Sequence, residues 1–264
     1  MKISELKKEA KLKLSGCYKL AVGINLLQLL ITIALSYVAS KVDGFLGLLV
    51  VLVSGIINIP LGYGLTASML KLSRKETVGL TDFISIGMKN FKRAFFLSLS
   101  IFFRFLIPII LFVVVAIIPI IANFMDNIVG ISILTLCSLV LTLVCFIYII
   151  YKALSYALAT YVLIDNEEAN SKEAIKTSCE LMKGNKTRFI ALVFSFFGWL
   201  LLTGILGAIA EAISTLLGTV VIYGLSLLLT PYISFSEINF YEDLAGSPVV
   251  QAPVQGEVVD STVE

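Results

Sequence analysis

The sequence contains no histidine, which removes the commonest general base and the commonest metal ligand of proteins. Its four cysteines include no CxxC pair, so neither a disulfide framework nor a zinc site is indicated. It also lacks a phosphate-binding glycine loop, and no pair of carboxylates lies within an apolar run at a spacing for metal or acid–base chemistry. We therefore expect no catalytic residue, no metal, no cofactor and no enzymatic activity.

Charged residues are scarce as well. They make up 14% of the 264 residues, whereas a soluble domain usually has about 25%. The net charge of +2 is too small to indicate the basic surface that binds nucleic acid, so no nucleic-acid partner is expected. In contrast, 58% of the residues are hydrophobic, and many lie in runs of about 20 residues or more, the length of a membrane helix. The composition predicts an all-α, polytopic membrane protein whose partners are membrane lipids.

These apolar runs predict six membrane spans in a single domain, residues 1–245. The fourth run is too long for one upright helix, so we expect it to tilt, kink or project from the bilayer. A short polar turn is expected at residues 122–127, and residues 246–264, with two prolines and no basic residue, are expected to form a disordered cytoplasmic tail. The expected spans are residues 20–40, 45–70, 94–121, 128–164, 189–208 and 219–240.

Basic residues flank the spans on one side only. Residues 2–19 and 71–93 each contain six lysines and arginines, and residues 165–188 contain five. The loops on the opposite side contain only Lys41. Because cytoplasmic loops carry the excess of Lys and Arg, both termini are expected in the cytoplasm of a multi-pass protein of the cell membrane.

Three basic segments, residues 2–19, 71–93 and 171–186, have apolar residues at helical spacing. The first is expected to lie along the membrane surface, with a solvated basic tail as the alternative. The second is a weaker candidate for the same arrangement, and in the third Asn170 and Glu173 have the spacing of a capping pair. The apolar faces are Ile3, Leu6, Ala10 and Leu14 in the first segment, Leu80, Ile84, Gly87 and Phe91 in the second, and Ile175, Cys179 and Met182 in the third.

A weak internal repeat follows from the order of these segments. Each one contains a surface helix, a glycine and basic residues, and each precedes two spans that would run out and back across the membrane. The alternative is chance similarity, because basic residues are common next to any membrane span.

Several motifs together resemble one family of membrane proteins. The motifs are Lys152-Ala-Leu-Ser-Tyr156, Asp165, Glu173-Ala-Ile175, Glu180-Leu-Met-Lys-Gly184-Asn-Lys186, Ser195-Phe-Phe-Gly198-Trp199, Pro231-Tyr232 and Phe240-Tyr-Glu-Asp-Leu244. The resemblance covers nearly the whole chain and is to the bacterial integral membrane proteins catalogued as domain of unknown function number 975. It implies a polytopic bacterial membrane protein and supplies neither an activity nor catalytic residues, and residues 104–150 depart from the family pattern.

Arg104 lies inside the third expected span, about 15 Å from its start and near the middle of a hydrocarbon core about 30 Å thick. An arginine at that depth costs at least about 2.5 kcal/mol on insertion scales, so we expect it to face protein or water. Pro108 removes the helical donor for the carbonyl of Arg104, and Pro60 and Pro231 are expected to break spans 2 and 6 at similar depths. Broken helices that meet at mid-depth form the binding sites of transporters.

Arg104 and Lys152 are therefore a candidate intramembrane contact for an anionic lipid or another anionic group. The alternative is structural: Arg104 bonds the freed carbonyls or rests on neighbouring phenylalanine rings. Lys152 is also expected to form a structural ion pair with Glu237. The function expected is transport or handling of a lipid or small anionic molecule. The alternative function is a membrane scaffold or regulatory protein that binds partners or anionic lipid through its basic amphipathic helices.

Overall fold

The computed structural model describes residues 2–122 and 128–246, and within these ranges the regular structure is helical, with no strand. The predicted turn at 122–127 and the predicted tail from 246 fall outside the described residues, apart from Ala122 and Gly246. In these ranges the helices are α1 (Ile3–Ser15), α2 (Tyr18–Ala39), α3 (Gly44–Ser73), α4 (Asp82–Lys89), α5 (Phe91–Ala122), α6 (Ile128–Tyr156), α7 (Ala159–Asp165), α8 (Ser171–Leu181), α9 (Lys186–Phe194), α10 (Phe197–Ile213) and α11 (Thr215–Ala245).

Within the described residues, six helical segments are long and apolar enough to cross a membrane. They form three antiparallel hairpins, in which α2 packs on α3, α5 on α6, and α10 on α11. The all-α, six-span class expected from the composition is confirmed. The segments are Tyr18–Ala39, Gly44–Ser73, Phe91–Ile118, Thr135–Asp165, Lys186–Ile213 and Thr215–Ala245.

Two of the expected spans are interrupted, and at each interruption a side chain from an amphipathic helix donates a hydrogen bond to a backbone carbonyl. The long fourth run breaks between α6 and α7, where the Ser178 hydroxyl of α8 donates to the carbonyl of Ser155 at 2.8 Å. The fifth breaks between α9 and α10, where Lys7 of α1 donates to the carbonyl of Ser195 at 3.2 Å. In both places a backbone carbonyl released by the break has a new donor.

The fifth span also runs further than expected. Helix α10 continues to Ile213, so Glu211 lies inside the helix, beyond the expected end of the span at residue 208. The apolar character of residues 209–213 extends the helix by one turn beyond the charged side chain. Its carboxylate is exposed, so the helix continues without burying that charge.

The amphipathic helices pack on one end of the bundle. Helix α4 packs on the end of α3, α8 packs on α6 and α7, and α1 packs on α11. Helices α4 and α8 thus contact the second helix of the hairpin that precedes them, and α1 contacts the second helix of the last hairpin, while the internal repeat stays a prediction. We call this end of the bundle the capped end. The opposite end, with residues 40–43 and Ser214, is the open end.

The faces that these helices bury correct two expectations. The apolar residues of α1 contact protein and not the membrane, because Leu6, Ala10 and Leu14 are buried in the common core. Helix α4 is only eight residues long and buries Phe83 and Gly87, whereas Leu80 is exposed. For α8 the expected face holds, since Ile175 and Met182 are buried and Cys179 is half-buried.

Helices α3 and α4 touch through their backbones. A Cβ atom added at Gly64 would collide with the carbonyl of Phe83, and one added at Gly87 would collide with the carbonyl of Pro60. Gly87 therefore belongs to the helix interface, and α4 ends at Lys89 with Asn90 as its C-cap, without the glycine that the repeat predicted. The core of the protein lies at the capped end, while the large apolar side chains towards the open end are mostly exposed, as a lipid-facing surface would be.

Candidate functional site

Charged residues at the capped end form a cluster that joins four helices. The guanidinium of Arg74, at the end of α3, binds both carboxylate oxygens of Asp165 in α7 at 2.6 and 2.7 Å. Its Nε donates to Glu242 of α11 at 3.1 Å, and Lys13 of α1 donates to the same carboxylate at 2.9 Å. The Tyr241 hydroxyl donates to Asp165 at 2.9 Å. We call these five residues the clasp.

The charges of the clasp are paired with one another, which indicates a structural role. Hydrogen bonds with Asp165 raise the pKa of Arg74, although burial opposes this. Burial alone would lower the pKa of Lys13, but its bonds with Glu242 and Glu9 raise it. Both cations are therefore charged at neutral pH, and each has a carboxylate partner. No unpaired charge is left in the clasp to recruit a ligand.

A second arginine fixes the link between α7 and α8. One terminal nitrogen of Arg93, in the first turn of α5, donates to the carbonyls of Leu163 at 2.8 Å and Asn166 at 2.6 Å, and more weakly to Ala169 at 3.4 Å. The expected cap is confirmed, because Asn170 accepts from the backbone of Glu173 and the Glu173 carboxylate accepts from the backbone of Asn170. The start of α8 is thereby held against the start of α5.

A groove of about 460 Å³ lies between these two helix starts. Its walls are mainly apolar, and no acidic side chain lines it. Lys92 and Lys172 are exposed at its rim, and neither forms an ion pair or hydrogen bond in the described part of the chain. The backbone N–H groups of Lys172 and Glu173 already donate to the side chain of Asn170, so the lysine side chains supply most of the positive charge. The lining residues are Lys92, Arg93, Phe96, Ser100, Leu163, Ala169, Asn170, Ser171 and Lys172.

The groove runs along a single row of α5 that leads to Arg104. Lys92, Phe96, Ser100 and Arg104 are spaced four residues apart and therefore follow one another along the same side of the helix. Arg104 lies one turn, about 6 Å, beyond the last lining residue. The row has a cation at each end and an aromatic ring and a hydroxyl between them.

Arg104 is exposed, and its guanidinium lies 5.9 Å from the ring centroid of Tyr156 in α6. It forms no hydrogen bond within the described residues, so the freed carbonyls are not its partners. Along the helix axis, Arg104 is about 27 Å from Ala122 at the open end. A hydrocarbon core about 30 Å thick that begins there ends close to Arg104. Counted from this end of α5, Arg104 lies nearer the boundary than the mid-depth position expected from the sequence, and its depth in the membrane stays a prediction.

The difference has a physical reason. The first turns of α5, which were counted as part of the span, bury Ala94 and Leu97 in the core at the capped end. The tyrosines of α6 support the boundary position: Lys152 lies 5.5 Å from the ring centroid of Tyr148, and Lys186 of α9 lies 3.1 Å from that of Tyr151. Tyrosine rings with lysine or arginine are typical of the membrane–water interface.

The structure does not bring Lys152 and Glu237 together. Glu237 in α11 accepts from the hydroxyl of Tyr161 at 3.5 Å, whereas Lys152 has Tyr148 as its neighbour. No ion pair between the two residues is present in the described part of the chain.

The three prolines do not break their helices. Pro60, Pro108 and Pro231 lie inside α3, α5 and α11, each of which continues on both sides of the proline. A proline removes one hydrogen bond, and a long helix tolerates that loss when packing holds both halves. Pro60 and Pro231 are buried, and Pro60 faces α4. The expected cluster of broken helices around Arg104 is therefore absent from these three described helices.

Six helical segments that are long and apolar enough to cross a membrane, arranged in three hairpins, are typical of a multi-pass helical membrane protein. The sequence over residues 1–247 matches the family described as "Protein of unknown function (DUF975)", and the chain belongs to this family. The resemblance noted in the sequence is thereby confirmed. No curated protein and no solved structure matches the chain.

Proposed function

We propose that this membrane protein binds an anionic lipid in the groove between α5 and α8, with the capped end in the cytoplasm. The observation that carries the proposal is the pair of unpartnered lysines, Lys92 and Lys172, at the rim of a groove that is otherwise mainly apolar. A lipid phosphate would meet these two ammonium groups. The cytoplasmic orientation rests on the excess of Lys and Arg in the segments at this end.

Charge favours an anion at the groove. The acidic residues of the link, Glu167 and Glu168, are exposed and do not line it. Arg93 uses one nitrogen for the backbone carbonyls, and a guanidinium has further donors. Three cations therefore approach one small volume, which is favourable only when an anion compensates them.

The apolar walls favour a lipid over a small soluble anion. Phe96 and Leu163 would contact hydrocarbon or glycerol atoms, and the row along α5 continues to Arg104 near the membrane boundary. Arg104 and Lys152, the pair selected from the sequence, would then bind lipid headgroups from the boundary side. In this arrangement the exposed guanidinium remains hydrated or bound to phosphate and avoids the cost of entering the hydrocarbon core.

The alternative role, a scaffold that inserts its amphipathic helices into the membrane, has less support. Leu6, Ala10 and Leu14 of α1 are buried inside the protein, as are Ile175 and Met182 of α8. These faces are occupied by protein and have no apolar surface left for a bilayer or a partner. The proposal involves binding and handling of lipid without a chemical step, in keeping with a sequence that contains no histidine.

Native mass spectrometry of the purified protein, with phosphatidylglycerol and phosphatidylcholine added in turn, tests the proposal. The double variant Lys92→Gln/Lys172→Gln is expected to lose most of the preference for phosphatidylglycerol. The matched control is Lys89→Gln/Lys176→Gln, which removes two exposed lysines of α4 and α8 that do not line the groove. Arg104→Gln is expected to weaken anionic lipid binding and Arg104→Lys to retain more of it. Equal lipid preference in the wild type and both double variants would refute the proposed site.

A further inference from the structure

A separate cavity of about 380 Å³ lies between α3, α5 and α7. It is on another side of α5 from the groove, because Ser98 and Ser100 are two residues apart and so about 200° apart around the helix. No charged side chain lines it. The lining residues are Asn58, Ile59, Gly62, Tyr63, Thr66, Ala94, Leu97, Ser98 and Thr160.

The polar groups of this cavity have unused hydrogen-bonding capacity. The hydroxyls of Tyr63, Ser98 and Thr160 form no hydrogen bond within the described residues. The Asn58 amide donates one of its two hydrogens to the carbonyl of Ser54 at 2.8 Å and accepts from Thr32 at 3.2 Å. One N–H of Asn58 therefore also remains.

The side chain of Tyr63 reaches this cavity from the core. The residue is only 6% exposed, and its hydroxyl, which has no protein partner within the described residues, is accessible and can bind water or a ligand. Asn58 lies about 21 Å along α3 from Gly44 and Thr66 about 33 Å, so the cavity extends across the membrane boundary. A compound in the headgroup region is at the right depth to enter it.

We propose that this cavity binds a neutral, polyhydroxylated group of about hexose size. Several hydroxyls in the ligand would match the hydroxyl and amide groups of the wall, and the side chains of Ile59 and Leu97 would contact its C–H faces. A charged ligand would remain unpaired there, because the wall has no ionic side chain. The volume is at the lower end for small-molecule sites and equals that of about a dozen water molecules. The ligand is either a free sugar or the sugar headgroup of a glycolipid.

Two probes distinguish a free sugar from a glycolipid headgroup. Binding of free glucose is measured by saturation-transfer NMR on the full chain in nanodiscs, and binding of monoglucosyl diacylglycerol is measured by native mass spectrometry. The variant is Ser98→Ala/Thr160→Val, which is expected to weaken binding about tenfold through two lost hydrogen bonds. The control is Ser226→Ala/Thr203→Val, whose hydroxyls line neither the cavity nor the groove. An unchanged thermal unfolding midpoint in both variants shows that they fold.

Binding of both probes indicates a site for the sugar itself, and binding of the glycolipid alone indicates a headgroup site. Both outcomes support the inference if the cavity variant weakens binding and the control does not. Failure of both probes to bind, or equal binding by the wild type and the cavity variant, overturns it and leaves a cavity that holds water only. Loss of phosphatidylglycerol preference concerns only the groove, so the two proposals fail independently.

Discussion

Arg74 and Asp165 form a two-point ion pair that joins the ends of the first and second hairpins, with N–O distances of 2.6 and 2.7 Å. Arg74 reaches the third hairpin as well, through Glu242. Because Lys13 of α1 binds the same glutamate, the N-terminal helix is fixed at the junction of all three. The arrangement at the capped end therefore depends on a few charged residues that are far apart in the sequence.

We predict that Arg74→Gln lowers the free energy of unfolding by about 1–2 kcal/mol, because a two-point ion pair within a network is worth more than an isolated surface pair. The neighbouring change Lys75→Gln, at an exposed lysine without an ion pair, should have little effect. Thermal unfolding in detergent measures both. Because the pKa values of Arg74 and Lys13 are raised in the folded protein, this stabilisation is lost only at high pH, as the pH rises through those folded-state values. The difference in unfolding free energy between the wild type and Arg74→Gln should therefore be constant around neutral pH. Equal midpoints for the two variants would show that the clasp is dispensable.

The sequence was sufficient to predict two helices of the capped end but not the clasp. Periodic apolar residues and the Asn170–Glu173 pair located α1 and α8, because these signals are local. The partners of Arg74 lie in α7 and α11, and no local pattern links them to the end of α3. The same limit applies to Lys92 and Lys172, which were counted only as topology signals. Their shared groove results from the packing of α8 on α5.

A second prediction concerns the contact between α3 and α4. Gly64→Ala should destabilise the protein by about 1–3 kcal/mol, because the new methyl group meets the carbonyl of Phe83, a backbone atom that cannot rotate away. Gly55→Ala in the same helix is the control, since its Cβ would meet nothing within 4 Å. The thermal unfolding midpoints of Gly64→Ala and Gly55→Ala measure this difference in stability. A Gly64→Ala protein as stable as the control would mean that the two helices are further apart.

Thiol labelling tests the buried face of α8. In a protein whose only cysteine is Cys179, reaction with a water-soluble maleimide should be several-fold slower than in a cysteine-free protein carrying Lys176→Cys. Cys179 is half-buried against the core, whereas Lys176 is exposed on the same helix. Equal rates would place α8 in solvent, detached from α6 and α7.

Reporter fusions test the orientation. Fusions at Thr77 and Glu168, in the segments of the capped end, should be active as cytoplasmic reporters, and fusions at Asp43 and Ser214 as external ones. The physical basis is retention of positively charged segments on the cytoplasmic side. An exchange of the two pairs would reverse the orientation without changing the fold, and a mixed pattern would contradict the six spans.

The depth of Arg104 depends on the end of α5 from which it is counted. Counting from the start of the apolar run places it at mid-depth, although the first turns of α5 lie in the core of the capped end. Counting from Ala122 places it near the boundary, next to Tyr156. Hydropathy marks where an apolar segment begins and does not show whether lipid or protein covers it.

The most direct test of lipid binding in the groove is photo-crosslinking in the membrane. A benzophenone side chain replaces Phe96, which lines the groove, or in a control Phe197, which is exposed on α10. After irradiation, mass spectrometry identifies the lipids attached at each position. Adducts at position 96 should be several-fold richer in anionic lipid than those at position 197, and Lys92→Gln/Lys172→Gln should remove this enrichment. The same lipid composition at both positions would contradict the account.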